Sequence, residues 1–166
     1  MLIYDAITRS KLLYGLETVQ LTEATAKKLD VFQLKGLRQI LRLQTTFVNR
    51  ANSNKFVFEM ASKTAYPDPQ DKRVIPRFSE FHRERNATLL GHILRASDDD
   101  PLREVTFQPS SAYRVEYGQK RVGKPKQNWI HQTKKYIRVE KQHLFTYDET
   151  EAQHDEILKW AQERKF

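Results

Sequence analysis

A stripe of apolar residues at helical spacing, between residues 22 and 43, constrains the fold of this chain more than any other feature. Its members recur every three or four positions: Leu29, Phe32, Gly36, Leu37, Ile40 and Leu41. This period places the side chains on one face of an α-helix, and Thr22 precedes them as a helix-capping residue. Gly36 lies on the stripe despite its low helix propensity, which predicts close packing against a neighbouring helix.

Similar patterns predict helices on both sides of this one. They cover about residues 2–14, a segment capped by Ser53, and about residues 79–96, 126–141 and 148–165. The first is expected to end near Gly15, because glycine tolerates the left-handed conformation just past a helix. On the last helix, Trp160 is expected at the edge of the buried face. The sequence therefore predicts an all-α fold, an irregular bundle of about six helices with long irregular connections and a basic Gly/Pro-containing loop.

Proline-rich and acidic stretches separate the predicted helices. Residues 66–76 contain three prolines, which exclude a continuous helix and suggest a boundary between a first helical region, residues 1–65, and a second helical region, residues 66–166. Residues 45–48 suggest a short extended link, and residues 102–118 are expected to be irregular. The acidic run Asp98–Asp100 before Pro101 is better explained as a polar helix stop than as a metal site, because it lacks the spacing of a calcium loop.

The charge of the chain is positive and unevenly distributed. The 166 residues include 29 Lys/Arg and 21 Asp/Glu, a formal charge of +8. Residues 111–141 carry nine basic and two acidic residues, whereas residues 142–166 carry three and six. This predicts a basic loop and helix at 119–141, followed by an acidic C-terminal helix. A phosphate-rich partner suits such a surface.

The segment from Gln119 to Arg138 contains seven Lys/Arg and no Asp or Glu. Lysine and arginine bind nucleic acids by displacing the counterions of the phosphates. The residues predicted to bind nucleic acid are Lys120, Arg121, Lys124, Lys126, Asn128, Lys134, Lys135 and Arg138. For Asn128, a helix cap is favoured over a base contact, and Trp129 and Ile137 are expected to pack in the core.

A second group of basic residues follows the helix after Thr22. It comprises Lys27, Lys28, Lys35, Arg38 and Arg42. These residues lie mostly off the apolar stripe, so they form either a second phosphate-facing strip or an ordinary solvated face. The solvated face is the favoured interpretation.

The composition excludes several kinds of chemistry. Because the chain has no cysteine, it forms no disulfide, iron–sulfur cluster or thiolate zinc site. Its five histidines (82, 92, 131, 143 and 154) are scattered and predict no metal site; His92 is expected to pack on the apolar face of its helix. No nucleophile–base arrangement is evident, so we expect neither a catalytic site nor a cofactor.

The N-terminus and the hydropathy of the chain favour an intracellular location. Asp5 and Arg9 interrupt the first apolar stretch, which therefore does not resemble a secretory signal. No apolar run approaches the length of a membrane span. Nuclear, cytoplasmic and organellar locations all stay open.

Three motifs resemble the C-terminal region of reverse transcriptases from LINE-type (non-LTR) retrotransposons. Lys11–Thr18 (KLLYGLET) with the helix end Gly36–Leu41 (GLRQIL) is similar to the region just after the catalytic palm. Leu89–Arg95 (LLGHILR) resembles a later segment of those proteins, and Lys120–Trp129 (KRVGKPKQNW) resembles the Arg-Gly-Arg-Pro-plus-Trp element that follows. The motifs occur in the family's order and cover roughly residues 8–138.

This resemblance implies a helical thumb, at residues 1–65, followed by a basic tail that in the parent enzyme holds primer–template or element RNA. The palm's metal-binding aspartates have no counterpart here, so the resemblance implies a non-catalytic piece, either a segment of a polyprotein or a separate gene descended from one. Lys124 stands where the family commonly has arginine, and Val122 where it has proline or arginine. Lysine keeps the charge but not the bidentate recognition of arginine.

Two functional hypotheses follow. The first is a non-catalytic RNA- or DNA-binding chain of reverse-transcriptase ancestry that contacts phosphates. The second is a structural subunit recruited into a large ribonucleoprotein or organellar assembly, because the chain is basic and its connections are long and proline-rich. A protein assembly would then be its partner.

Overall fold

The computed structural model describes residues 2–16, 19, 21–68, 70–115, 128–140 and 151–163. Among these residues it contains seven α-helices and no strand, which confirms the all-α class. The helices are α1 (Leu2–Leu12), α2 (Glu23–Ile40), α3 (Asn54–Ala65), α4 (Phe78–Arg95), α5 (Pro101–Glu104), α6 (Trp129–Glu140) and α7 (Glu151–Glu163). The four-residue α5 and an isolated antiparallel bridge between Phe107 and Arg114 lie in a stretch that the sequence suggested is irregular.

The helix ends follow local side-chain chemistry. The hydroxyl of Thr22 accepts a hydrogen bond from the Thr25 N–H at the start of α2, and Ser53 does the same for Phe56 at the start of α3. Each cap satisfies one of the N–H groups that a helix leaves unpaired. Gly15 has φ +71° just beyond α1, the left-handed conformation expected there.

Gly36 makes the close contact that the apolar stripe predicts. A Cβ atom at this position would overlap the hydroxyl of Tyr4 on α1. The absence of a side chain at Gly36 therefore allows the Tyr4 ring to lie against the backbone of α2, which offsets the low helix propensity of glycine.

Two compact units divide the chain between His82 and Arg83, within α4. The boundary predicted at residues 66–76 lies between α3 and α4, within the first of these units. In the first unit, the proline-rich segment packs onto α2 and α3: Ile75 is buried, and its N–H donates to the Ser62 hydroxyl over 2.9 Å. The buried core of this unit comprises Leu34, Leu37, Val57, Ala61, Ala65 and Ile75. Pro67 and Pro76 lie between the end of α3 and the start of α4.

Two side chains of α2 hold the beginning of α4. The side chain of Gln33 is completely buried; its Nε2 donates to the Pro76 carbonyl over 2.9 Å, and its Oε1 accepts from the Phe78 N–H over 3.0 Å. Asp30 accepts hydrogen bonds from both the N–H and the hydroxyl of Ser79. The first N–H groups of α4 thus find their partners on another helix rather than in the adjacent sequence.

The second unit has its own core, built on α4, α6 and α7. Its buried members are Ala87, Leu90, Ile93, Leu94, Phe107, Ala112, Ile130, Ile137, Ile157, Trp160 and Ala161. The expectation that Trp160 lies at an edge is wrong, because the indole is buried against the Gly91 region of α4. Arg95 extends this contact by donating to the Ala161 carbonyl over 2.7 Å.

Arg103 organises the connection after α4. Its guanidinium is buried, and donates to Asp98 Oδ1 and to the Leu94 carbonyl, both over 2.7 Å. Hydrogen bonds from Ser110, and then from Arg103, lower the pKa of Asp98 to about 2. Asp100 caps α5 by accepting from the Leu102 N–H. Asp98 thus holds the connection after α4, and Asp100 holds the start of α5.

Two local expectations are wrong. His92 is exposed, whereas His82 is buried and its Nε2 lies 2.8 Å from the Leu16 carbonyl oxygen. Residues 45–48 form a turn rather than an extended link, since the N–H groups of Val48 and Asn49 both donate to the Thr45 carbonyl. Helical periodicity alone does not distinguish a polar residue on the buried face from one beside it.

None of the helices that the structure describes has both the length and the apolar character needed to cross a bilayer.

Candidate nucleic-acid interface

Asn128 immediately precedes α6, which is the helix predicted to follow the basic loop. Its Oδ1 accepts from the Ile130 N–H over 3.0 Å, and its carbonyl accepts from the Gln132 N–H. Asn128 is thus engaged as a helix cap, the interpretation that the sequence favoured. Ile137 is buried and Trp129 packs against the core of the second unit, as predicted.

Lys134 belongs to the buried face of α6. Its side chain is only 3% exposed, and Nζ donates to the Ala112 carbonyl over 2.9 Å and lies 6.0 Å from the centre of the Phe107 ring. The prediction that Lys134 contacts phosphate is therefore withdrawn. A lysine stem often lies along apolar surface, but here the charged group is enclosed as well.

Lys135, the next residue, is exposed. It shares the solvent side of α6 with His131, one turn earlier. Arg138 lies within α6, but its side chain is not described. The remaining predicted basic contacts lie outside the described residues: Lys120, Arg121, Lys124 and Lys126. Lys135 is therefore the one predicted basic contact seen at the surface of the portion of the chain that the structure describes.

A second cationic segment lies in the first unit. The 28 residues from Val31 to Phe58 contain five Lys/Arg and no Asp or Glu. Lys35, Arg42 and Arg50 are exposed, and none of them pairs with a carboxylate among the described residues. Lys55 lies 3.8 Å from Glu59. This acid-free run therefore presents at least three positive charges that have no carboxylate partner within the described part of the chain.

The helical members of the predicted second basic strip have different environments. Lys27 pairs with Glu23 over 3.0 Å, and Lys28 is exposed. Arg38 is directed into the protein: its Nη2 donates to the Asn52 carbonyl over 3.3 Å and to Asn54 Oδ1 over 2.8 Å. Arg38 thus serves to position the loop that follows α2.

That α2–α3 loop, residues 41–53, is held by its own polar groups. Asn52 is buried and donates to the Gln44 carbonyl over 2.9 Å. Asn49 Oδ1 accepts from the Ala51 N–H, and the Leu43 N–H donates to the Arg38 carbonyl. The turn at its tip carries Phe47, which is 97% exposed. An aromatic ring is therefore presented to solvent within an acid-free, basic stretch.

Sequence reasoning missed this loop, although a signal was present. The net charge was counted over residues 1–65 as a whole, and this count included five carboxylates that lie on either side of the acid-free run. A search for long segments without acid would have found the run. The exposure of Phe47 had no comparable signal, because a phenylalanine between helices more often indicates core.

Among the described residues, no group of three or more His, Asp or Glu side chains lies close enough together to hold a metal ion. His131 is exposed, His143 lies outside the described residues, and the side chain of His154 is not described.

No protein-family model, no curated protein and no solved structure matches this chain. The resemblance to LINE-type reverse transcriptases therefore rests on the quoted motifs, of which Leu89–Arg95 is described in full. Within it, a methyl group at Gly91 would lie 3.4 Å from the Trp160 ring, and Arg95 reaches α7. In this chain the motif serves to pack α7 onto α4.

Proposed function

We propose that this chain is a non-catalytic nucleic-acid-binding protein that holds RNA or DNA through phosphate contacts, with little reading of sequence. The observation that carries the proposal is the presence of two long basic segments without a single carboxylate, residues 31–58 and 119–138. When lysine and arginine in such segments contact phosphates, the nucleic acid releases counterions, and this release favours binding. The resemblance to retrotransposon reverse transcriptases supports the same function, and the proposal places the chain with intracellular nucleic acid.

The two segments offer this chemistry in different ways. In residues 31–58, the exposed side chains of Lys35, Arg42 and Arg50 accompany a loop that Arg38 and Asn52 hold in place. A fixed loop loses little conformational entropy on binding. In residues 119–138, the proposed contacts are Lys120, Arg121, Lys124, Lys126, Lys135 and Arg138. Asn128 and Lys134 serve the fold of α6.

We expect that changing Lys120, Arg121, Lys124 and Lys126 together to alanine lowers the salt dependence of binding. Each lost phosphate contact reduces the slope of log affinity against log salt by roughly 0.7–0.9, so the slope falls by about 3. Filter binding of a labelled oligonucleotide between about 50 and 200 mM salt measures it.

The matched control removes the same charge elsewhere, from Lys63, Lys72, Arg83 and Lys159, all exposed and outside both segments. Its slope should stay close to that of the unchanged chain. Equal slopes in the two variants would show that binding depends on net charge alone. No measurable affinity of the unchanged chain at low salt would refute the proposed function.

A structural role in an assembly is the second candidate, and apolar surface on α1 and α2 favours it. Ile3 and Ile7 on α1 are more than half exposed, as is Phe32 on α2, and these helices meet at Tyr4 and Gly36. Contiguous apolar surface marks protein contacts, and Ile3 and Ile7 lie four residues apart, on one face of α1. Thermal unfolding of the isolated chain separates the candidates: a cooperative transition indicates an autonomous domain, and a shallow one indicates a subunit that needs its neighbours.

A further inference from the structure

The tip of the α2–α3 loop combines exposed arginines with two features that the phosphate contacts do not use. Phe47 is almost fully exposed and Val48 is mostly exposed, although both are apolar. The turn beneath them is closed by two hydrogen bonds to the Thr45 carbonyl, over 3.1 and 3.0 Å. The stretch around them carries Arg42 and Arg50, both exposed, and no acid. The closed turn fixes the backbone at Phe47, so the backbone loses little freedom when the ring binds a partner.

The charge of this stretch identifies the partner. A protein partner would have to match the apolar tip and neutralise the nearby arginines as well. A single-stranded nucleic acid supplies both complements in one molecule, because its bases stack on aromatic rings while its phosphates pair with arginine. In a duplex, the bases are already stacked and their faces are inaccessible to Phe47.

We infer that Phe47 is a stacking platform for an unpaired base of single-stranded RNA or DNA, with Arg42 and Arg50 contacting the adjoining phosphates. This inference rests on the proposed function and specifies its substrate as single-stranded. Arg38 and Asn52 serve the site indirectly: Arg38 of α2 donates to the Asn52 carbonyl over 3.3 Å, and Asn52 joins the two sides of the loop by donating to the Gln44 carbonyl over 2.9 Å.

The test compares Phe47→Ala with Tyr14→Ala, which removes an aromatic ring that is 87% exposed and lies outside the acid-free run. Fluorescence anisotropy with single strands of about 16 nucleotides, as RNA and as DNA, and with the corresponding duplex gives the affinities. Phe47→Ala should weaken binding to single strands about tenfold and to the duplex less than twofold. Tyr14→Ala should change neither, and Phe47→Trp should restore the single-strand affinity.

Other outcomes separate this inference from the proposed function. If the unchanged chain binds single strands and Phe47→Ala binds them equally well, the stacking site is refuted while phosphate binding stands. The exposed ring would then be assigned to contact with a protein partner. An equal loss for single strands and duplex would also refute stacking. Unchanged melting temperatures are expected for both alanine variants, since neither ring is buried. Comparison of the affinities for the RNA and the DNA single strand shows which of the two nucleic acids the site prefers.

Discussion

Replacing Arg103 by methionine is expected to lower the free energy of unfolding by about 3 kcal/mol. The side chain is 5% exposed, and its guanidinium bonds the Leu94 carbonyl at the end of α4, Asp98 and the Ser111 carbonyl. Methionine preserves much of the volume but donates no hydrogen bond. Each buried acceptor left unpaired costs about 1–3 kcal/mol, whereas Asp98 is partly exposed and regains water.

Urea unfolding followed by the helical circular dichroism signal measures this loss. Arg83→Met, at an exposed position of the same α4 helix, is the matched control and should stay within about 0.5 kcal/mol. Arg103→Lys should fall between the two, because one ammonium group cannot reach Asp98 and the carbonyls of Ile93, Leu94 and Ser111 together. A loss of under about 1 kcal/mol for Arg103→Met would mean that water replaces the guanidinium and that its burial has little importance.

Replacing Gln33 by methionine is expected to cost about 2–4 kcal/mol. Gln33 is fully buried, and its two hydrogen bonds satisfy the Pro76 carbonyl and the Phe78 N–H at the start of α4. Methionine has a similar shape, so the loss reports the two backbone groups left without partners rather than a cavity. The remaining contacts of Asp30 with Ser79 still hold the next turn of the helix.

The same unfolding measurement checks this effect, with Gln39→Met as control at an exposed position of α2. Gln39 should tolerate the change within about 0.5 kcal/mol. Equal stability of the two methionine variants would contradict the role assigned to Gln33 in joining α2 to α4.

Local chemistry made much of this fold predictable. The caps at Thr22 and Ser53, the close contact at Gly36 and the class of the fold all depend on residues near one another in sequence or on one helical period. Burial of polar groups was not predictable in this way. The buried Lys134 donates to the Ala112 carbonyl, 22 residues earlier in the chain. The buried Gln33 bonds Pro76 and Phe78, more than 40 residues later. Periodicity contains no information on such partners.

The candidate interface was only partly predictable for the same reason. The capping role of Asn128 follows from its position before an apolar period, and α6 confirms it. Charge counting found the basic segment at 119–138 but did not separate Lys135, which is exposed, from Lys134, which is not. The side chains of adjacent helical residues point about 100° apart, so one of them can be buried while the next is exposed. Which face is buried was fixed by Phe107 and Ala112, far away in sequence.

Ultraviolet crosslinking of the complete chain to a single-stranded oligonucleotide, followed by mass spectrometry of the adducts, tests the central claim most directly. The account predicts adducts on peptides from residues 119–138 and from the α2–α3 loop, with both decreasing as salt screens the phosphates. Adducts confined to the acidic residues 142–166, or none at low salt, would contradict it.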